Sequence, residues 1–285
     1  MAKVKFGDVV NEVKNKVDRN NNPYEFYVAG DHMDTDSLSI PRRGSFRTDD
    51  VGPAFIREFK KGQVLYGSRR TYLRKVAVAD FDGVTANTTF VLETKNENIL
   101  RQRLLPFIMY TKGFTEWSIK KSKGSTNPYV LFKDLADYEF DLPSIEEQDK
   151  LADVLWSIND TLQAYQNLLT QTDALVQAQF VEMFGDPIKN TKNWKLRSFH
   201  NCLIRIDSGK SLNCENHPRC DNYPAILKLS AITSGTYNPE ENKALPAAEM
   251  FNPSLEVHDG DLLFSRKNTY EYEGISAYVK KRLLI

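Results

Sequence analysis

A heptad repeat of mostly apolar residues between Leu142 and Phe184 constrains the fold of this chain more than any other part of its sequence. Large apolar side chains recur there at alternating steps of four and three residues, and Thr172 is the one polar member before the last. The apolar members are Leu151, Leu155, Ile158, Leu162, Tyr165, Leu169 and Val176. This spacing is typical of a helix that pairs with a second helix along its apolar stripe. The alternative is an amphipathic helix that lies on its own domain.

The residues at both ends of the repeat favour one continuous helix. Ser144 and Glu147 have the spacing of a capping box, and Pro143 suits a position beside a first turn. Gly185 and Pro187 are typical of residues that follow a helix. No Gly or Pro lies between these signals. We therefore predict a single helix about 58 Å long.

The charged residues divide the chain into three segments, although the net charge is zero. Residues 1–140 carry 23 basic and 18 acidic residues, and residues 188–285 carry 14 and 11. Residues 141–187 carry one basic and nine acidic residues, so a phosphate backbone would repel them. This distribution predicts two mildly basic lobes, suited to nucleic acid, that flank an acidic helical spacer.

The composition indicates a cytoplasmic protein. Apolar residues make up 41% of the chain, which is enough for a packed core. The mean hydropathy is −0.49, and no apolar run is long enough to span a membrane. The first residues lack the apolar block of a signal peptide. Three cysteines, an odd number, favour a reducing compartment over a disulfide framework.

A repeated pattern relates the two lobes. Residues 62–72 align with residues 260–270 at a constant offset of 198, and Gly, Leu, an aromatic residue, a basic residue, Thr and Tyr coincide. Residues 28–38 and 228–237 agree in outline. These matches predict two copies of one domain. The second copy has no counterpart of residues 93–140, so we expect it to be incomplete or completed by another chain.

Turn signals separate short strand-like segments in the first lobe. The predicted strands cover residues 24–29, 63–66, 76–79 and 88–92. Residues 98–110 suit a short helix, and residues 120–126 suit a basic loop. In the second lobe, residues 275–279 are strand-like. The predicted fold class is α+β, with strand-rich domains at 1–140 and 188–285 joined by a long coiled-coil-type helix at 141–187.

Pairs of basic residues beside the predicted turns are candidate contacts to DNA. The planar guanidinium of Arg matches guanine, whereas Lys more often contacts phosphate. The first candidates for base contacts are Arg69, Arg70 and Tyr72, with Arg266, Lys267 and Tyr270 as their counterparts in the second copy. The further candidates are Arg42, Arg43, Lys60, Lys61, Arg74, Lys120, Lys121, Lys123 and Lys210. For any one of these residues, the alternative is a solvated surface charge.

The sequence lacks convincing motifs for catalysis or metal binding. Residues 127–129 have the sequence Asn-Pro-Tyr. They lack one Pro of the Asn/Asp-Pro-Pro-aromatic loop that holds the amino group of adenine in adenine methyltransferases. Residues 208–211 end like a phosphate loop, but Ile204 stands where that motif needs Gly. A possible zinc set has irregular spacing. Its members are Cys202, Cys214, His217 and Cys220, with His200 nearby. We therefore predict no catalytic residue, no metal and no cofactor in this chain.

Several segments together resemble the specificity subunits of type I restriction–modification enzymes. The most specific is Leu-Pro-Ser-Ile-Glu-Glu-Gln at 142–148, which opens the long helix. Weaker matches are Gly-Ser-Thr at 124–126, Ser-Gly-Lys-Ser at 208–211, and residues 223–228 and 242–246. The resemblance implies two target-recognition domains, each of which reads half of a split DNA site. It also implies partner methyltransferase and restriction subunits, and we expect S-adenosylmethionine, Mg²⁺ and ATP to bind to those partners.

The chain departs from the pattern of that family in one respect. The family's second domain is normally complete and is followed by a second helix, which would pair with the first. We expect the rest of the second domain and the second helix to be missing from this chain. We therefore expect the long helix to pair with a second copy of this chain in a homodimer, or to be covered by methyltransferase subunits. Two rival functions are a recognition remnant of a fused methyltransferase or nuclease, and a coiled-coil adaptor that binds only proteins. A steep loss of DNA affinity with salt would exclude the adaptor.

Overall fold

A computed structural model describes residues 2–220, 223–266, 268–270 and 272–280. The chain divides into two compact units, residues 1–187 and residues 188–285. The strands of the first unit are Ala2–Lys5 (β1), Val10–Val13 (β2), Phe26–Val28 (β3), Gly44–Ser45 (β4), Phe55–Phe59 (β5), Val64–Gly67 (β6), Val76–Val78 (β7), Gly83–Ala86 (β8), Thr89–Thr94 (β9) and Glu139–Leu142 (β10). Its α-helices are Phe6–Val9 (α1), Leu105–Tyr110 (α2), Lys112–Lys121 (α3), Phe132–Ala136 (α4) and Ile145–Phe184 (α5).

Two four-stranded sheets form the body of the first unit. The order of the first sheet is β2-β9-β6-β7, and that of the second is β4-β3-β8-β5. All pairs are antiparallel except β3 with β8. β1 pairs with β10, which brings the start of the unit next to the start of α5. The four predicted strands are confirmed by β3, β6, β7 and β9, of which β6 and β9 extend one and two residues beyond the predicted segments.

The first sheet is buried on both faces. In β6, Val64 and Tyr66 face one core with Phe114 of α3, whereas Leu65 faces a second core with Phe59 of β5. Successive residues of a strand point to opposite faces, so a strand that is buried on both faces must be apolar throughout. This burial explains why Val64 to Tyr66 form a continuous apolar run rather than an alternating pattern.

Two expectations about helices in the first unit were wrong in their bounds. The predicted helix at 98–110 begins only at Leu105, where Pro106 occupies a first-turn position. The predicted loop at 120–126 begins only at Ser122, because α3 continues through Lys121. Phe114 anchors α3 in the core, 5.1 Å from the ring of Phe6, and Lys120 and Lys121 therefore lie on the last turn of a packed helix.

The long helix α5 has the predicted start and length. Ser144 Oγ accepts a hydrogen bond from the backbone amide of Glu147, and the Glu147 carboxylate accepts one from the amide of Ser144 at 2.9 Å. These two bonds confirm the capping box. The helix has 40 residues and ends before Gly185, which has a φ of 80°. Its length is about 60 Å.

One member of the heptad stripe also packs within the first unit. Leu155 is partly buried and packs with Trp156 against the core of that unit. The free part of the stripe begins one step later, at Ile158, whose side chain is 52% exposed. The later members of the stripe are also exposed: Leu162, Tyr165, Leu169 and Val176. The earlier member, Leu151, is partly exposed at 45%.

The second unit is smaller and consists of two strand pairs. Ala225–Leu227 (β11) pairs with Asn242–Ala244 (β12), and Leu262–Phe264 (β13) pairs with Ser276–Tyr278 (β14). Its core contains Ala231, Ile232 and Ala277, with Leu227, Tyr237 and Leu263 packed against them. The strand-like segment predicted at 275–279 is confirmed by β14.

The strand pairs of the second unit have the same registers as two pairs of the first. Leu65 pairs with Ala77 in the β6–β7 hairpin, and Leu263 pairs with Ala277 in β13–β14. Gly62 and Gly260 precede the two hairpins with φ angles of 88° and 94°. Residues 26 and 45 pair in β3–β4, and residues 225 and 244, both 199 positions later, pair in β11–β12. None of the helices among the described residues is long and apolar enough to cross a membrane.

Candidate nucleic-acid interface

Two segments that are far apart in the sequence meet in the first unit. The backbone amide of Arg70 donates to the carbonyl of Pro128 at 2.6 Å, and the amide of Val130 donates to Ser68 at 2.9 Å. Arg69 and Tyr129 also form an antiparallel bridge. The loop after β6 is thereby joined to the loop after α3. We call the result the basic surface, which consists of Arg69, Arg70, Tyr72, Lys120, Lys121, Lys123 and Tyr129.

Three basic side chains on this surface are unpaired. Arg69, Arg70 and Lys120 are exposed, and none of them forms a side-chain hydrogen bond or ion pair within the described part of the chain. Arg70 has a left-handed backbone conformation, with a φ of 51°, at the start of the short 3₁₀ helix Thr71–Leu73. An unpaired exposed guanidinium keeps its full charge and all its donors for an anionic ligand such as phosphate.

Two exposed tyrosines lie among these cations. The side chain of Tyr72 is 53% exposed and that of Tyr129 is 41% exposed. Tyrosine combines an apolar ring with a hydroxyl group and suits contacts to bases and sugars. Tyr129 was missed as a candidate, because the motif Asn-Pro-Tyr was compared only with the adenine-binding loop of methyltransferases. The signal that would find it is the backbone pairing with Arg69, which the linear sequence does not reveal.

The other two lysines of the basic surface have partners within the unit. Lys121 Nζ lies 4.6 Å from the ring centre of Trp117, in a cation–π contact. Lys123 Nζ lies 3.0 Å from a carboxylate oxygen of Asp134. Both side chains retain part of their exposure, but they are held more firmly than Lys120. Because the carboxylate of Asp134 neutralises Lys123, this lysine attracts an external anion less strongly than Lys120 or Lys121 does.

The remaining candidates of the first lobe lie outside the basic surface. Arg42 forms an ion pair with Asp34, and Arg74 Nε lies 3.0 Å from Asp36. The guanidinium of Arg43 stacks over the ring of Phe26 at 3.9 Å. These contacts tie the loops around β4 and β7 to their own unit. Lys61 is exposed, and its backbone amide donates to Asp82.

Lys60 is the most strongly neutralised candidate. Its ammonium group contacts the hydroxyl of Tyr24 and lies 3.1 Å from Glu58 and 3.3 Å from Asp82. The hydrogen bond with Tyr24, followed by that with Glu58, raises the pKa of Lys60 above its ordinary value. Lys60 therefore stays protonated, but two carboxylates already balance its charge. A contact with DNA phosphate would have to displace them.

In the second unit, the candidates among the described residues are exposed. Lys210 lies in an exposed segment without regular structure, and Arg266 follows β13. Tyr270 is 96% exposed. Lys267 lies outside the described residues. Within the described ranges, no group of three or more His, Cys, Asp or Glu residues is placed to hold a metal ion, and the three cysteines form no disulfide.

Comparison with known proteins places the first unit in a family. A model of the type I restriction modification DNA specificity domain matches residues 1–171. The chain is 24% identical over 192 residues to the type I restriction enzyme EcoDI specificity subunit of Escherichia coli, and the match covers 66% of this chain and 41% of that subunit. The chain thus spans less than half the length of this curated relative.

Two solved structures share the fold. An HsdS subunit from Thermoanaerobacter tengcongensis matches with a TM-score of 0.50 and 19% identity, over 65% of this chain and 50% of that chain. A type I restriction-modification system S subunit from M. genitalium matches with a TM-score of 0.52 and 15% identity, over 98% and 70%. The family model covers more than half of the sequence, and the chain therefore belongs to the type I restriction modification DNA specificity domain family.

Proposed function

We propose that this chain is a sequence-specific DNA-recognition subunit of a type I restriction–modification system and has no catalytic activity of its own. Its first lobe, residues 1–140, reads one half of a bipartite DNA target. The observation that carries this proposal is the basic surface, where Arg69, Arg70 and Lys120 are exposed and unpaired beside two tyrosines. Phosphate contacts from such cations position a protein on a duplex, and Arg also reads guanine in the major groove.

The chain directs partner subunits in this proposal. A methyltransferase subunit and an endonuclease subunit perform the chemistry, and S-adenosylmethionine, Mg²⁺ and ATP bind to them. The complex works on double-stranded DNA in the cytoplasm. Family membership supports this assignment over a recognition remnant of a fused enzyme or a coiled-coil adaptor.

The second unit, residues 188–285, is a partial copy of the first lobe in this proposal. The equal registers of β6–β7 with β13–β14, and of β3–β4 with β11–β12, support common architecture. Equivalent positions are also buried in both cores, since Met33 and Ile232 lie 199 positions apart. The counterparts of Arg69, Arg70 and Tyr72 in the second unit are then Arg266, Lys267 and Tyr270. Lys210 contacts phosphate in this proposal.

The helix α5 lies within the spacer segment, residues 141–187, and is the dimerisation element in this proposal. Its exposed stripe from Ile158 to Val176 pairs with the same stripe of a second copy, antiparallel, in a two-fold dimer. The first lobes then lie at opposite ends of the pair. A helix of about 60 Å is longer than one turn of DNA, which rises about 34–36 Å. The target in this arrangement is an inverted repeat with an unread spacer.

The test is binding of the purified full chain to a pool of random duplexes. We expect enrichment of sequences with two fixed half-sites, and an affinity that falls steeply with salt. The same protein, given labelled S-adenosylmethionine and DNA, should transfer no methyl group. No measurable binding to any duplex, even at low salt, would support a protein-binding adaptor instead. Methyl transfer by the chain alone would contradict a non-catalytic subunit.

A further inference from the structure

The loop between α3 and α4 has a closed and defined backbone. The amide of Lys123 donates to the carbonyl of Tyr129 at 2.8 Å, and the amide of Tyr129 donates back at 2.9 Å. Gly124 has a φ of 90°, which a residue with a side chain adopts only with strain. The base of this loop is also bonded to the loop after β6, through Arg70. The five residues at its tip are therefore presented on a pre-organised frame.

The side chains at the tip of this loop have unused hydrogen-bonding groups. Ser125, Thr126 and Asn127 are exposed, and their side chains make no hydrogen bond within the part of the chain that the structure describes. Asn22 and Asn96, at two other turns of the unit, behave differently. Each accepts a hydrogen bond from a backbone amide two residues later, at 3.0 and 2.9 Å. The side-chain amide of Asn127 forms no such hydrogen bond with the described residues of its own turn.

The position of the tip suggests its ligand. The loop is bonded at its base to the segment of Arg69 and Arg70, and it follows α3, whose last turn carries Lys120. Cations that contact phosphates would bring the polar tip beside them towards the edges of the bases. We infer that residues 125–127 read base edges and that Asn127 recognises adenine, whose N6 amino group and N7 atom match the oxygen and nitrogen of its amide. This inference rests on the proposed function.

The experiment compares the sequence preferences of three full-length proteins selected on the same duplex pool. These are the parent, Asn127→Ala, and the control Asn98→Ala, which removes an exposed Asn from a turn outside the basic surface. We expect Asn127→Ala to lose roughly 5- to 150-fold of the preference for adenine at one position. Its affinity for unrelated duplexes and the preferences of the control should equal those of the parent. Thermal melting establishes that each protein is folded.

A second variant keeps the inference testable if the first unfolds. Asn127→Asp has nearly the same size but cannot donate to N7, so the preference for adenine should also fall, while its added negative charge lowers the affinity for all duplexes. If the parent selects a sequence and both variants keep every preference, the inference is wrong and the proposed function stands. If the uncharged variant Asn127→Ala loses affinity for all duplexes equally, Asn127 contacts the backbone and the inference is also wrong. If the parent selects no sequence, the proposed function fails, and the inference fails with it.

Discussion

The side-chain oxygen of Gln148 accepts a hydrogen bond from the backbone amide of Arg101 at 2.9 Å, and this glutamine is completely buried. Its nitrogen donates to the carbonyls of Ile99 and Pro143 at 2.9 and 3.0 Å. Beside it, the Arg101 guanidinium forms a two-point ion pair with Asp149 at 2.8 and 2.9 Å. The first turn of α5 is thereby bonded to the segment before α2, and this contact sets the direction of the helix relative to the first lobe.

Replacing this glutamine should destabilise the first unit. Gln148→Leu leaves the amide of Arg101 and two carbonyls without partners in a dry site, which costs on the order of 3 kcal/mol. The control Gln171→Leu changes an exposed residue of the same helix and should alter stability by less than about 0.5 kcal/mol. Urea unfolding followed by circular dichroism measures both. Equal effects of the two variants would show that the buried bonds contribute little.

Charges on the free part of the stripe should separate the proposed dimer. Ile158→Asp combined with Leu162→Asp places two carboxylates in the contact between helices. The matched control adds the same charge on the opposite face of α5, through Ala164→Asp and Asn167→Asp. Light scattering at micromolar concentration should give a monomer for the first pair and a dimer for the control. A monomeric parent that still binds its site would show that the stripe is covered within one chain.

Replacing Arg69, the first candidate for base contacts, should weaken recognition of a single base. Arg69→Ala should lose about 1–3 kcal/mol at one base position if the guanidinium contacts guanine. The loss should be confined to sequences that carry this base, because phosphate contacts do not distinguish sequences. Affinities for a set of single-base variants of the selected site measure this. A uniform loss over the whole set would assign Arg69 to the backbone.

The salt dependence of binding should separate unpaired from neutralised lysines. Lys120→Ala removes an unpaired cation and should reduce the slope of log affinity against log salt by about 1. Lys60→Ala should leave the slope unchanged, because Glu58 and Asp82 already balance that charge. Titrations of one duplex over a range of salt concentrations measure both slopes. The reverse ranking would mean that Lys60 exchanges its carboxylates for phosphate.

The cluster around Glu58 predicts a dependence of stability on pH. The hydrogen bond from Tyr24, with further contacts from Lys60, lowers the pKa of Glu58 below the ordinary value of 4.5. A carboxyl group whose folded pKa is lowered stabilises the fold above its unfolded pKa, and this contribution is lost as pH falls through the folded value. Unfolding should therefore become easier below about pH 4.5. Glu58→Gln should reduce that sensitivity, as measured by melting at a series of pH values.

Local signals were sufficient for the elements that depend on neighbours in the sequence. The capping box of Ser144 and Glu147 and the end of α5 at Gly185 involve groups within one turn, so their spacing predicts their structure. The strands β6 and β7 follow from apolar runs between turn signals. The exposed stripe after Ile158 also follows from its period.

The features that the sequence did not reveal depend on contacts between distant segments. Leu155 fits the heptad, and it also packs against the core formed by elements that precede α5 by many residues. Lys60 stays a candidate phosphate contact, and the fold places Asp82 beside it. The basic surface itself exists because the loop of Arg70 is bonded to that of Pro128. Such non-local pairings are set by the tertiary fold, and no spacing in the sequence encodes them.

The two matching hairpins separate a constant frame from a variable tip. Nine residues lie between the paired Tyr66 and Val76, and eleven lie between the paired Phe264 and Ser276, although both frames keep the same register. In the first hairpin Val64, Leu65 and Tyr66 are buried, and in the second Ala277 belongs to the core and its partner Leu263 packs against that core. Most of the described connecting residues are at least partly exposed. Loops tolerate such changes better than cores do. New target preferences can therefore arise by exchange or insertion in these loops at little risk of unfolding, so the architecture favours rapid divergence of specificity.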